Sequence, residues 1–279
     1  MFSRRRHLFF LSALSPLLAT LPTLVNAQSR LVPGAIGSLE RLQGRVTRTA
    51  SGGVQNLSVG QSVFEGDRVS AAEDTDAVFR LIDGAVIAIR ANSEITLTQY
   101  RFSKESPQEG SVVLQVIRGG LRKLTGVIGK NTPDNVRVTT STATIGIRGT
   151  EFEVTHVEAN NTSGQRNNDD PQPGSYLRVY SGATTLTNNE DNRLISVPAG
   201  QTAFAPNTAA RAMGMVMQNF GLMRNAPSRA FSNGRFDGVM QSLNTVVSEE
   251  IQNRSNQQME RISPELRRNL PDVTNIFRR

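Results

Sequence analysis

The chain has 279 residues, a formal net charge of +7, and neither cysteine nor tryptophan, which excludes disulfides, thiolate metal sites and a cysteine nucleophile. Hydrophobic residues make up 37 %, enough for a folded core. Residues 28–204 balance 18 basic against 18 acidic side chains, while residues 205–279 hold 10 arginines against 6 acids, so the basic excess lies at the two ends.

The first segment reads MFSRRRHLFFLSALSPLLATLPTLVNA: three arginines, an apolar stretch, then small residues ending in Val25-Asn26-Ala27. This is the pattern of an export signal cleaved after Ala27, and residues 1–27 are set aside from fold reasoning. Arg5-Arg6-His7-Leu8-Phe9 also fits the outline of a twin-arginine signal. Pro16 and Pro22 interrupt the apolar run, which argues against a retained anchor, and no later run is long enough to span a membrane. The expected mature product is periplasmic, without a membrane span, and residues 28–35 read as a linker.

Residues 36–204 read as an all-β domain, a β-helix-like or barrel-like stack of short strands. Turn signals are dense, among them Gly52-Gly53, Gly66-Asp67, Asp83-Gly84, Asn92-Ser93 and Gly119-Gly120, and short alternating runs lie between them. Phe79 and Leu81, then Ile87 and Ile89, then Ile95 and Leu97 predict a three-strand meander, with Asp83-Gly84 as a tight hairpin turn in which both residues take positive φ. Ser111–Arg118 (SVVLQVIR) is apolar on both faces and predicts a central strand buried on both sides. A weak repeat links Gly44–Arg48 and Leu57–Gln61 to Gly182–Leu186 and Ile195–Gln201, with a looser copy from Gly119 to Val138.

Residues 158–175 (EANNTSGQRNNDDPQPGS) are polar and predict a mobile insert. Asp169 and Asp170 lack the spaced carboxylates of a calcium loop, so no metal site is assigned. From 205 to 279 the period becomes helical. Met213, Val216, Met217 and Phe220 form one stripe, and Phe236, Met240, Leu243, Val247 and Ile251 another. Two or three helices are expected, docked on the β domain or offered to a partner.

Ala143–Val154 (ATIGIRGTEFEV) changes parity. Ile145 and Ile147 occupy odd positions, Phe152 and Val154 even ones. Side chains alternate strictly along a strand, so the switch demands a bulge or corner, and Gly146 and Gly149 supply the backbone freedom. On this reading Arg148 points out of the core or pairs with a carboxylate, Thr150 bonds backbone at the bend, and Glu151 and Glu153 face solvent. Arg148, Thr150, Glu151 and Glu153 are the candidate binding residues.

Ala143–Phe152 also resembles the signature of the FecR domain family. Leu57–Gly60, Glu65-Gly66-Asp67-Arg68-Val69, Leu81-Ile82-Asp83-Gly84-Ala85 and Arg118-Gly119-Gly120-Leu121 agree with it in order. The resemblance covers about residues 36–155 and more loosely reaches Phe204. It implies an exported all-β module, β-helix-like in related signalling proteins. Some members are transmembrane regulators that receive a signal from an outer-membrane siderophore transporter and control a sigma factor. This chain has a signal-like segment where those regulators carry a cytoplasmic helical region, so it resembles a stand-alone periplasmic member.

Catalysis finds little support. His156 is the one histidine of the expected mature chain, and no catalytic residue, metal or cofactor is assigned. A glycan hydrolase would need a carboxylate pair from Asp67, Asp83, Glu151 and Glu153, but the two aspartates sit at turns and the two glutamates on one face of one strand. The expected function is a non-enzymatic binding, signalling or adaptor module that recognises a periplasmic or outer-membrane protein or an envelope polymer, and not nucleic acid. An assembly factor acting through its basic helical tail is the alternative, ahead of a carboxylate-based hydrolase. Oligomeric state is open.

Overall fold

The structure, a computed structural model, describes residues 32–159 and 169–243, together with helical positions 245, 249, 253 and 256. The expected signal segment and cleavage site at Ala27 lie outside the described residues, as do Val247 and Ile251.

Among the described residues fifteen strands form one sheet: β1 (Ala35–Gln43), β2 (Val46–Ala50), β3 (Gly53–Leu57), β4 (Ser62–Phe64), β5 (Arg68–Ala71), β6 (Asp76–Leu81), β7 (Val86–Ile89), β8 (Glu94–Arg101), β9 (Ser111–Leu124), β10 (Val136–Thr139), β11 (Ala143–Val157), β12 (Gly174–Asn188), β13 (Leu194–Pro198), β14 (Thr202–Pro206) and β15 (Gly221–Met223). The main domain is all-β. The pairings resolve into two layers. The first runs β3-β2-β5-β8-β9-β10-β11-β12-β13. The second runs β4-β1-β6-β7-β9-β11-β12-β14-β15.

Three long strands belong to both layers, and each bends at a glycine with positive φ: β9 at Gly119 (71°), β11 at Gly149 (58°) and β12 at Gly182 (73°). Side chains from both layers meet between them in one core, which includes Val69, Leu114 and Ile145 from the first layer and Phe79, Phe152 and Val179 from the second.

The two best copies of the sequence repeat are the two ends of the stack. Each passes from the second layer to the first through a positive-φ glycine, Gly44 or Gly182, and hairpins there. Each then returns through a turn with the same bonds. Gln61 C=O accepts from Leu39 N–H and Leu39 C=O from Gly60 N–H; Gln201 C=O accepts from Val179 N–H and Val179 C=O from Gly200 N–H. The looser copy does not repeat this, because β10 lies parallel to β9.

The expected meander holds for one hairpin only. β6 and β7 pair, but β8 lies in the other layer between β5 and β9. The crossing is fixed by Asn92 at φ 58° and by Ser93, whose Oγ accepts from Gly120 N–H (2.9 Å) and donates to Gly120 C=O (3.0 Å). In the β6–β7 turn Gly84 takes positive φ and Asp83 does not. Asp83 instead accepts from Ala85 N–H (3.1 Å) and from the Tyr100 hydroxyl (2.9 Å).

β9 is central, as its four pairings show. Its first half alternates between buried and open positions rather than being buried on both faces. The doubly buried part is Leu121–Leu124, half a strand later. There the core lies on one side and residues 236–243 on the other.

The tail departs further from its helical period. α1 (Val127–Asn131) lies within the β domain. α2 (Thr208–Ala212) is capped by the Asn207 side chain, which accepts from Ala210 N–H (2.9 Å), and it stops before Gly214 at φ 72°. Residues 213–220 are not helical, because Gln172 Oε1 accepts from Met217 N–H (2.8 Å) and Gln218 N–H (3.2 Å) and so satisfies the backbone sideways. β15 then extends the sheet beyond Phe204. The second stripe is helical from residue 237, and Phe236, Met240 and Leu243 pack on Val78, Val86, Ala88 and Leu124. A neighbouring cluster joins Val216, Ala230 and Phe231 to Tyr176 and Phe204.

Of the polar insert, residues 169–175 are anchored rather than free. The Asp169 carboxylate accepts from Ser228 N–H (2.7 Å) and Oγ–H, and Asp170 pairs with Arg229 (2.7 Å). Together these contacts cover the outer face of the second layer, while the described residues leave that of the first open.

Candidate functional site

The parity change is a bulge inside one continuous strand. β11 shifts register against β12 between Arg148 and Phe152, so Ile145 and Ile147 before it and Phe152 and Val154 after it all enter the core. An added Cβ at Gly149 would meet nothing within 4 Å, so the glycine is there for its φ. Gly146 is different: a Cβ there would come within 2.6 Å of Thr185 Oγ1 on β12.

The bulge separates the four candidate binding residues. Arg148 is exposed on the first layer. Thr150 is 2 % exposed; its backbone pairs with Thr125, while its Oγ1 has no partner among the described residues. Glu151 and Glu153 do not face solvent, because the outer face on which they stand is the one that the tail covers. Glu153 is 1 % exposed and accepts from Tyr180 Oη–H (2.8 Å), Ser232 N–H (2.7 Å) and Ser232 Oγ–H (2.9 Å). Glu151 accepts from Arg122 at 2.8 and 2.6 Å.

Arg122 and Tyr180 complete this cluster, and neither was marked by a motif. The Arg122 guanidinium lies 3.7 Å from the Tyr180 ring centroid and also binds Asp237 of the tail. Burial works against its charge, but the Asp237 hydrogen bond and the Glu151 carboxylate hold its pKa above the ordinary value. Burial, reinforced by the Glu153 charge, pushes the Tyr180 hydroxyl up to about 12. Every polar group here has a protein partner, and three of them belong to the tail. The cluster is a clamp that holds residues 232–237 to the sheet.

The carboxylates that a hydrolase would need are committed elsewhere. Asp67 accepts from Phe64 N–H (2.8 Å), and Asp83 sits under Tyr100. His156 is buried. Its Nε2 lies 2.9 Å from Ser141 Oγ and its Nδ1 3.0 Å from Ser175 Oγ, a hydroxyl where a catalytic triad would place a carboxylate. Burial holds the imidazole pKa below its ordinary value against a backbone bond to Gly174, so the ring is neutral near pH 7.

Two of the surfaces left open among the described residues bear on binding. The first is the outer face of the first layer, where Thr49, Thr96, Gln115, Thr139, Thr144 and Thr187 stand in register across neighbouring strands, with Arg68 between the first two. At about 4.8 Å per strand this polar row extends roughly 29 Å. The second is a cleft of about 440 Å³ at the end of the second layer, bounded by Arg90, Arg118, His156 and Arg235.

Residues 67–166 match the family model described as FecR protein. Two crystal structures, at 2.50 and 1.65 Å, of a protein from Parabacteroides distasonis ATCC 8503 assigned provisionally as an anti-sigma factor are similar at 13 % identity and a TM-score of 0.39. The match covers 58 % of this chain and 61 % of theirs, so the chain spans about three fifths of their length. No curated protein matches the chain.

Proposed function

We propose that this chain, which contains a FecR domain over residues 67–166, is a non-enzymatic signalling or adaptor module of the cell envelope that works in the periplasm by binding a protein. The observation that carries this reading is the asymmetry of the two layers. Residues 207–243 cover the outer face of the second layer and lock its charged groups, whereas the outer face of the first layer is a broad polar surface with no segment of the described chain across it. A binding module needs an accessible, rigid face, and the core behind this one is continuous. The committed state of Glu151, Glu153, Asp67, Asp83 and His156 agrees with a role other than catalysis.

The alternative, recognition through the tail, rests on a different observation. Met213 and Met217 are 70 % and 81 % exposed. A photo-crosslinking amino acid at Gln115 or at Met217 separates the two readings in cells. A discrete protein adduct from Gln115 and none from Met217 is the expected result. Adducts from Met217 alone would move recognition to the tail. No protein adduct at either position, with co-sedimentation on purified envelope polymer, would replace the protein partner by a polymer.

A further inference from the structure

We infer that the cleft beside His156 is a binding site for a multiply charged oxyanion, a molecule or headgroup carrying phosphate or carboxylate groups. Three arginines from separate elements line it: Arg90 after β7, Arg118 at the bend of β9, and Arg235 from the tail. Asn92, His156 and Glu158 also line it, and Glu158 is the one carboxylate among the described lining residues.

Arg90 is the centre of the argument. Its guanidinium donates to Thr155 Oγ1 (3.1 Å) and to the Arg229 carbonyl (3.4 Å), both neutral. The carboxylate that acts on it most strongly is Glu153, which is already bonded to Tyr180 and Ser232. Burial disfavours its charge, so a partly desolvated cation lines the cleft with no carboxylate paired to it among the described residues.

The other two arginines each have an acidic partner. Arg235 pairs with Asp76 (3.2 Å). Arg118 pairs with Glu94 (3.3 Å), but the same carboxylate also serves Arg68 (3.2 Å), so it neutralises neither fully. Guanidinium forks match the oxygen spacing of phosphate and carboxylate. A volume of about 440 Å³ lies within the range of small-molecule sites. His156 is neutral near pH 7 and offers a polar wall without charge. An oxyanion here would supply the counter-charge that Arg90 lacks.

The test is calorimetric titration of the whole protein with inorganic pyrophosphate at low salt, repeated with Arg90→Gln, Arg118→Gln and the open-face control Arg137→Gln. Circular dichroism of each variant reports folding, and Arg118→Gln alters a half-exposed side chain should Arg90→Gln unfold. The expected result is saturable binding that weakens about tenfold in either cleft variant and is unchanged in Arg137→Gln. No saturable heat up to millimolar pyrophosphate, or an equal loss in Arg137→Gln, would overturn the site. Flotation with vesicles containing phosphatidylglycerol separates the two sources of the oxyanion. Vesicle binding lost in Arg90→Gln assigns it to a headgroup, and pyrophosphate binding without vesicle binding assigns it to a free molecule.

Discussion

Replacing Phe236 by alanine tests whether the tail is part of the folded domain. Phe236 is 3 % exposed and shares a cluster with Val78, Val86, Ala88 and Leu124, which the tail removes from water. A buried Phe→Ala change costs about 3–5 kcal/mol in lost transfer energy and cavity formation. If the tail and sheet melt together, Tm falls by roughly 6–20 °C at this chain length. If the tail releases first, the loss appears locally, and about 3 kcal/mol raises the open fraction by roughly a hundredfold. Trypsin reads that fraction, because Arg229 and Arg235 lie in the segment and their side chains are 67 % and 55 % exposed. The expected result is a lower Tm, or cleavage after Arg229 and Arg235 about a hundred times faster. Wild-type Tm together with the wild-type cleavage rate would refute the docking argument.

Three further outcomes follow from single residues. Gly149→Val forces a β-branched residue to φ +58° and should cost about 1–3 kcal/mol through backbone strain alone, since the added Cβ has space; urea unfolding with an unchanged midpoint would contradict it. Lys123 is fully buried, with its pKa lowered by burial against the attraction of Asp83, so the folded state resists its protonation. Wild-type stability should therefore rise with pH up to the unfolded lysine value near 10.4, and Lys123→Met should be more stable at pH 7 with that rise removed, as measured by urea midpoints from pH 7 to 10. His156, with its pKa lowered by burial, should make stability fall as pH drops below about 6.5, and His156→Gln should flatten that slope over pH 5–7.

Much of the fold could be read from local pattern. Alternation identified the core residues of β6, β7 and β8, and the parity change located the bulge of β11 to within a residue or two of Gly149. The glycine-marked repeat located both ends of the stack. What local pattern does not encode is the layer a strand joins: Asn92-Ser93 looks like a hairpin turn, but Ser93 bonds Gly120, 27 residues away, and carries β8 across. The helical stripe of residues 213–220 failed for a similar reason, since Gln172 captures its amide groups from a distance. Strand alternation puts Glu151 and Glu153 on one face, but it does not show that this face is covered. Their cover begins some 79 residues downstream at Ser232, and only the repeated spacing of Phe236, Met240 and Leu243 hinted that something would lie there.

The sharing of β9, β11 and β12 between layers has a mechanical consequence. In an ordinary sandwich the two sheets meet through side chains alone and can slide or splay. Here three continuous backbones act as cross-beams, and sliding would require their glycine bends to change shape. Load applied to the open polar face therefore reaches the opposite face through covalent chain, at Arg122, Glu151 and Tyr180, the side chains that grip the tail. Contact on one side and the hold on residues 232–237 on the other are two ends of the same rigid members.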